Sequence, residues 1–218
     1  MNREISVILP CYNEEKSLGF CIDEIRKVSR ENNLNPEIIV VDNNSIDRSR
    51  EIAKEKKVNY LFEEKKGYGS AYLAGLKSAN GQILIMADCD GSYDFNDMPK
   101  FLNELENNDL VVGNRANKNL LPILNRIGGF LINKMLKRKG LNIKESCTGF
   151  IGIKKEKLDL LNLKKQGMEF SSELLVRANE KELKIQEIDI NFRQRIGKSK
   201  LKIFRDGFRH LKFLLLGI

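Results

Sequence analysis

Gln82-Ile83-Leu84-Ile85-Met86-Ala87-Asp88-Cys89-Asp90-Gly91 is an apolar run that ends on two carboxylates and a glycine. A short run apolar on both faces and closed by turn residues reads as a strand buried in a parallel sheet. Asp88 and Asp90, two positions apart just past that strand, can converge on one point. Like charges at the edge of a buried strand need a partner, and a hard divalent cation such as magnesium or manganese prefers oxygen ligands. Alone, Asp88-Cys89-Asp90-Gly91 would be only a turn. Its surroundings decide.

Three apolar runs precede it, each leading into a helical pattern. Ile5-Ser6-Val7-Ile8-Leu9 is followed by an amphipathic stretch over about residues 14–30, with Asn13 as a candidate cap. Glu37-Ile38-Ile39-Val40-Val41 ends at Asp42, before a helix starting near Asp47 with Ser45 or Asp47 as cap. Val58-Asn59-Tyr60-Leu61-Phe62 leads into a small-residue helix over residues 69–79. Downstream, a helix over residues 97–106 precedes a fifth strand, Leu110-Val111-Val112-Gly113. Strands separated by single helices predict a mostly parallel sheet with helices on both faces. Ligands of such sheets bind outside the carboxyl ends of the strands. Four of those ends are polar: residues 11–14, 42–45, 88–90, and Asn114-Arg115. One polar rim is expected.

The second half is less regular and differently charged. Residues 1–114 hold 14 basic and 20 acidic side chains, a net of −6, whereas residues 115–218 hold 24 and 10, a net of +14. A basic half points to an anionic partner: nucleic acid, a phosphorylated substrate or a membrane surface. Residues 115–144 carry eight basic residues and no acidic one, around Gly128-Gly129. Residues 168–181 read as helical and 184–192 as one or two strands. Leu201, Phe204, Phe208, Leu211 and Leu215 form a helical stripe, and Lys202, Arg205, Arg209 and Lys212 follow it one position later. Such a helix can lie on an anionic membrane or pack on the sheet.

The 218 residues suit one α/β domain with a small C-terminal addition. The expected division is a catalytic unit over residues 1–200 and an amphipathic, membrane-apposed helix over 201–218. Cys11, Cys21, Cys89 and Cys147 are scattered and only His210 could add a nitrogen ligand, so buried thiols are expected and a zinc site is not. The first residues show no signal-peptide pattern, and no apolar segment reaches the ~18–20 residues needed to span a bilayer. The expected location is the cytoplasm, at the cytoplasmic face of a membrane.

Taken together the blocks resemble a known family. Pro10-x-Tyr12-Asn13-Glu14, Asp42-x-x-Ser45-x-Asp47, Lys66-Gly67-x-Gly69 and Met86-Ala87-Asp88-Cys89-Asp90-Gly91 look like the ordered blocks of the family 2 glycosyltransferases. Gly113-Asn114-Arg115, Thr148-Gly149-Phe150 and Arg195-Ile196-Gly197-Lys198-Ser199-Lys200 resemble the subgroup that transfers sugars to polyprenyl phosphates, the dolichol-phosphate mannosyltransferase-like enzymes. The likeness runs over about residues 4–212. It implies a GT-A-type fold and inverting transfer from a nucleotide-sugar donor. By position, Pro10, Tyr12, Asn13, Glu14, Asp42 and Lys66 would bind the donor, and Asp88 and Asp90 would hold Mg²⁺ or Mn²⁺ on its diphosphate. Asn43, Ser92 and Glu145 stand where the family more often has aspartate, glutamine and aspartate.

The acceptor is a separate question. A lipid phosphate has a second pKa of about 6 and is largely ionised at neutral pH. It needs cations to hold it, and Arg115, Arg126, Arg195 and Lys200 are the candidates, with Lys118, Lys134, Arg193 and Lys198 nearby. Arg115 and Arg195 could also steady the departing diphosphate beside Asp88 and Asp90. A sugar hydroxyl would instead require a carboxylate base, from Glu145, Glu169 or Glu173. Two other classes fit less well. A nucleotidyltransferase predicts a glycine-rich phosphate loop after the first strand, which residues 10–14 are not. An RNA-binding module needs aromatics interleaved with cations on an exposed sheet, so nucleic acid is not the expected partner.

Overall fold

The computed structural model describes residues 4–115 and 118–216. The five apolar runs form strands β1 (Ile5–Cys11), β2 (Glu37–Asp42), β3 (Asn59–Phe62), β4 (Ile83–Met86) and β5 (Leu110–Arg115). Between them lie helices α1 (Leu18–Glu31), α2 (Ser49–Glu55), α3 (Tyr68–Ser78) and α4 (Met98–Glu104). The second half adds α5 (Ile123–Arg138), β6 (Ile151–Lys154), α6 (Lys155–Leu158), α7 (Phe170–Glu180), β7 (Ile185–Ile190) and α8 (Ile203–Leu216).

Among the described residues, seven strands form one sheet in the order β3-β2-β1-β4-β6-β5-β7. Every pairing is parallel except those of β6, which runs against both β4 and β5. Met86, at the carboxyl end of β4, pairs with Ile151, at the start of β6. The residues just before β6 therefore arrive on the same rim as the residues just after β4. That single reversal brings Thr148-Gly149 beside Asp88.

Alternation along the strands sorts the core into two layers. Val7, Leu9, Val40, Ile85 and Val111 pack under α1, α2 and α4. Ile8, Val41, Leu84, Val112 and Ile153 pack against α3, α5, α7 and α8. The expected α/β architecture with helices on both faces is what forms.

Several local expectations are corrected. A strand at residues 151–154 and a helix at 123–138 were not foreseen, and residues 184–192 supply one strand. Asn13 does not cap α1, because its Oδ1 accepts from Ile46 N across the rim. Ser45 does not cap α2, because its Oγ accepts from Asn13 N, whereas Asp47 Oδ1 does accept from Ser49 N. α8 does not pack through its apolar stripe. It buries Asp206, His210, Phe213 and Leu214, and leaves Phe204 86%, Phe208 66% and Leu215 72% exposed. Among the described residues, no helix is long and apolar enough to cross a membrane.

Candidate active site

The polar strand ends converge on a cavity of about 460 Å³. Its walls include Pro10, Tyr12, Glu14, Lys66, Asp88, Asp90, Arg195 and Lys200. A smaller cleft of about 330 Å³ lies at the opposite rim, between Arg26, Arg30 and the starts of β2 and β3, and contains no paired carboxylates.

Asp88 sits at the base of the larger cavity. Tyr68 donates a hydrogen bond to its Oδ1 at 3.1 Å, and Tyr72 lies at 3.5 Å from the same oxygen. Tyr72 is fixed by stacking on Phe170, with ring centroids 5.4 Å apart. A methyl group at Gly149 would fall 2.6 Å from the Asp88 carboxylate, so only glycine lets the chain pass there. Gly149 N in turn donates to Tyr93 Oη at 2.7 Å. Burial, and then the nearby charge of Asp90, push the Asp88 carboxyl up to about 7. Such a pair is poised to gain from a cation.

Asp90 is buried, and its Oδ1 accepts from Ser92 N at 2.9 Å. Its Oδ2 lies 3.2 Å from Arg195 Nη1. Arg195 reaches across to Glu14, with Nη2 2.8 Å from Oε1, and Lys200 Nζ meets the same oxygen at 2.5 Å. Burial raises the Glu14 carboxyl, while Lys200 and Arg195 pull it down. The segment carrying these cations is tied to the rim by its backbone: Arg193 N donates to Ser92 O and Ile196 N to Asp90 O, each at 2.8 Å. Residues 193–200 thus form a strap over the carboxylates.

The other expected residues fall elsewhere. Asp42 does not line the cavity: its carboxylate accepts from Ser45 N at 2.9 Å and from Tyr60 Oη at 2.8 Å. Asn43 lines the cavity in its stead. Asn43 also holds the next loop by accepting from Gly67 N at 2.7 Å. Asn13 is a bracket, joined to the β2–α2 loop and, through its carbonyl, to Lys200 Nζ at 2.7 Å. Arg115 lies outside the cavity lining, gripped by the buried Glu145 and stacked over Phe192 at 5.3 Å. Arg126 is exposed on α5, also outside the cavity lining. The Lys118 side chain lies outside the described residues.

Sequence reasoning missed Tyr68, Tyr72, Met168, Lys202, Arg205 and Arg209 as neighbours of the site; all but Tyr72 line the cavity itself. Tyr68 was findable, since it stands between the two glycines of Lys66-Gly67-x-Gly69. Those glycines let residues 165–167 pack closely, as a Cβ at Gly69 would fall 2.2 Å from Lys165 O. Met168 then reaches the cavity wall.

The residues fit a divalent cation. Asp88 and Asp90 offer carboxylate oxygens, and among the described residues no hydrogen bond occupies Asp88 Oδ2. Among the described residues, no group of three or more His, Cys, Asp or Glu side chains is placed to form a closed protein cage. Two carboxylates suit magnesium or manganese, whose remaining positions go to water and phosphate oxygens.

A strand-end cavity with paired carboxylates on a mixed sheet of this order defines a GT-A-type glycosyltransferase fold. Residues 6–160 match the family model described as glycosyl transferase family 2. The chain belongs to that family. It is 31% identical to the low-salt glycan biosynthesis hexosyltransferase of Haloferax volcanii, over 97% of this chain and 53% of that protein. It is 30% identical to the dolichyl-phosphate hexose transferase of the same organism, over 94% and 89% of the two chains. It is also 30% identical to the dolichol-phosphate mannosyltransferase of Pyrococcus furiosus, over 91% of this chain and 59% of that one. The chain thus spans little more than half of two of these relatives. Glucosyl-3-phosphoglycerate synthase from Mycobacterium tuberculosis, solved with uridine diphosphate, shares the fold at a TM-score of 0.80 and 19% identity. That superposition covers 98% of this chain and 79% of the other.

Proposed function

We propose that this chain moves a hexose from a nucleotide-sugar onto a polyprenyl phosphate, with inversion, at a membrane surface. The carrying observation is the cavity itself. One wall holds Asp88 and Asp90, and another is the cationic side of α8, whose neighbouring flank is exposed and apolar.

Pro10, Tyr12, Glu14 and Lys66 line the donor part of the cavity. A cation held by Asp88 and Asp90 would offset charge on the departing diphosphate, as a Lewis acid does. Tyr68 and Gly149 keep the Asp88 carboxylate in place. Arg195 and Lys200 stand beside the same carboxylates, within reach of phosphate oxygens. The acceptor phosphate oxygen forms a bond to the anomeric carbon as the bond to the nucleoside diphosphate breaks, and the diphosphate leaves with the electron pair. No proton has to be removed from an ionised phosphate. The carboxylates support that choice, since two of the three candidate bases are engaged. Glu145 accepts from Arg115 and from Cys147 N, and Glu173 accepts from Lys164 N and Lys165 N at 2.9 and 2.7 Å.

Membrane contact is proposed for α8 and α5 together. Beside Phe204, Phe208 and Leu215, α5 exposes Ile123, Leu124, Ile127 and Phe130 around Arg126. Contiguous exposed apolar surface mixed with cations suits an anionic bilayer. Relatives named for dolichyl-phosphate sugar transfer support the acceptor class, and the uridine-diphosphate and Mn²⁺ complexes of the M. tuberculosis synthase support donor and metal.

The test is incubation with labelled UDP-glucose, UDP-N-acetylglucosamine or GDP-mannose, polyprenyl phosphate, and Mg²⁺ or Mn²⁺. A metal-dependent lipid-linked sugar is expected. Glycosylation of a soluble sugar without lipid-linked product would reject the acceptor assignment.

A further inference from the structure

The expected acceptor cations are largely committed inside the fold. Arg115 is held by Glu145. Arg195 is shared between Glu14 and Asp90, and Lys200 pairs with Glu14. Of the cavity-lining cations on α8, Arg205 pairs with Asp206 at 3.2 Å. Lys66, Lys202 and Arg209 also line the cavity, and among the described residues none of the three makes an ion pair. Lys66 belongs to the loop that leads through Gly67 into α3. Lys202 and Arg209 share one wall.

The backbone that carries them is anchored. Lys202 N donates to Asp206 Oδ2 and Asp206 N to Lys202 O, both at 2.8 Å, which fixes the first turn of α8. Arg209 lies against the loop between α6 and α7: a Cβ at Gly167 would fall 2.5 Å from its Nη1. Glu169 lies on the same glycine, and its Oε2 is buried without a hydrogen-bond partner. One residue before Arg205 and Arg209 along the helix, Phe204 and Phe208 face solvent.

We infer that Lys202 and Arg209 seat the phosphate of a phosphomonoester acceptor, with the hydrocarbon of a lipid acceptor running along Phe204 and Phe208. This rests on the transfer proposed above. Unpaired cations attract an anion without first breaking an internal pair, so this wall offers the least costly berth in the cavity. The recognised chemistry is the phosphomonoester, which a lipid headgroup or a small soluble phosphate could supply.

The full chain, with UDP and Mg²⁺ present, should be titrated with farnesyl phosphate, farnesol and glycerol 3-phosphate. Wild type is compared with Lys202→Gln/Arg209→Gln, and with Lys77→Gln/Lys181→Gln, which removes equal charge from exposed positions outside the cavity lining. Each lost charge-assisted contact should weaken phosphate binding on the order of tenfold. Farnesyl phosphate affinity should thus fall about a hundredfold in the first variant only, with farnesol binding unaltered. Neither side chain is buried, so both variants should melt like wild type, and Arg209→Lys should recover part of the affinity. If glycerol 3-phosphate binds as tightly and shows the same loss, the seat stands and the lipid acceptor falls. Farnesyl phosphate bound at this wall without any sugar transfer would reject the proposed reaction and keep the seat. Equal affinity in wild type and double variant, or no binding of either phosphate by wild type, overturns the inference.

Discussion

Arg115 and Glu145 meet as a fork: Nη2 is 2.8 Å from Oε1 and Nε is 3.1 Å from Oε2, between side chains only 11% and 4% exposed. Removing one partner strands a buried charge, which costs about 3–5 kcal/mol. Glu145→Ala and Arg115→Ala should both lower the denaturant midpoint strongly. The pair Arg115→Met/Glu145→Leu should recover much of that loss. A residue that grips substrate would instead raise KM and leave the midpoint alone, so unfolding curves beside acceptor KM values decide the role.

Asp90→Asn separates stability from function. The Asp90 charge raises the cost of ionising Asp88, so its removal relieves strain in the ligand-free chain. That relief is set against the weakened contact with Arg195, so the variant should melt within about 4 °C of wild type. Its metal-dependent affinity for UDP should fall by two orders of magnitude or more, given a loss of about 3 kcal/mol or greater for a lost carboxylate ligand. Calorimetry with and without Mn²⁺ measures it.

Phe204 and Phe208 are predicted to act outside the fold. Replacing both with Ser should leave stability within about 0.5 kcal/mol, as for other exposed positions. Binding to vesicles containing anionic lipid should weaken by roughly 3–6 kcal/mol if both rings insert fully, and by less if they insert in part. Unchanged sedimentation with vesicles would remove these rings from the membrane contact.

His210 predicts an acid-sensitive junction between α7 and α8. Its Nδ1 lies 2.7 Å from Ser172 Oγ, and burial holds the imidazole below its ordinary value. A group depressed on folding binds more protons when unfolded, so it stabilises the fold above about pH 6.5 and loses that contribution as pH falls through the folded value. Asp88, raised to about 7, acts in the opposite sense over part of this range. The comparison must therefore be a difference. As pH is lowered from 7.5 to 5, wild type should lose more stability than His210→Gln.

The first half was legible because each strand is a separate apolar run followed by its own helix. Asp88, Asp90, Glu14 and Arg195 could be placed because they stand at strand ends or in recognisable blocks. β6 was hidden, since Ile151-Gly152-Ile153-Lys154 is four residues long and contains a glycine. α5 was obscured by Gly128-Gly129 and by apolar residues that face water as well as the core, which erases the one-sided pattern. The α8 stripe was legible as a helix, but its pattern left open whether the stripe packs on the sheet or faces outward, and the structure turns it outward. Two polar residues, Asp206 and His210, take the buried side because each finds a hydrogen-bond partner there. Asp42 illustrates the remaining gap: the hydroxyl that occupies it comes from Tyr60, on a different strand.

Arg195 and Lys200 have a consequence for how the two substrates sense salt. The chain carries its own counter-ions over Glu14 and Asp90, so a metal-bound diphosphate entering there trades one set of partners for another. Little net charge is uncovered, and donor affinity should change only gently with ionic strength. At Lys202 the positive charge is open, and at Arg209 Glu169 stands near without forming an ion pair among the described residues, so screening there acts more strongly than at the paired Arg195. One cavity would then have a salt-tolerant mouth for the nucleotide and a salt-sensitive one for the phosphate it glycosylates.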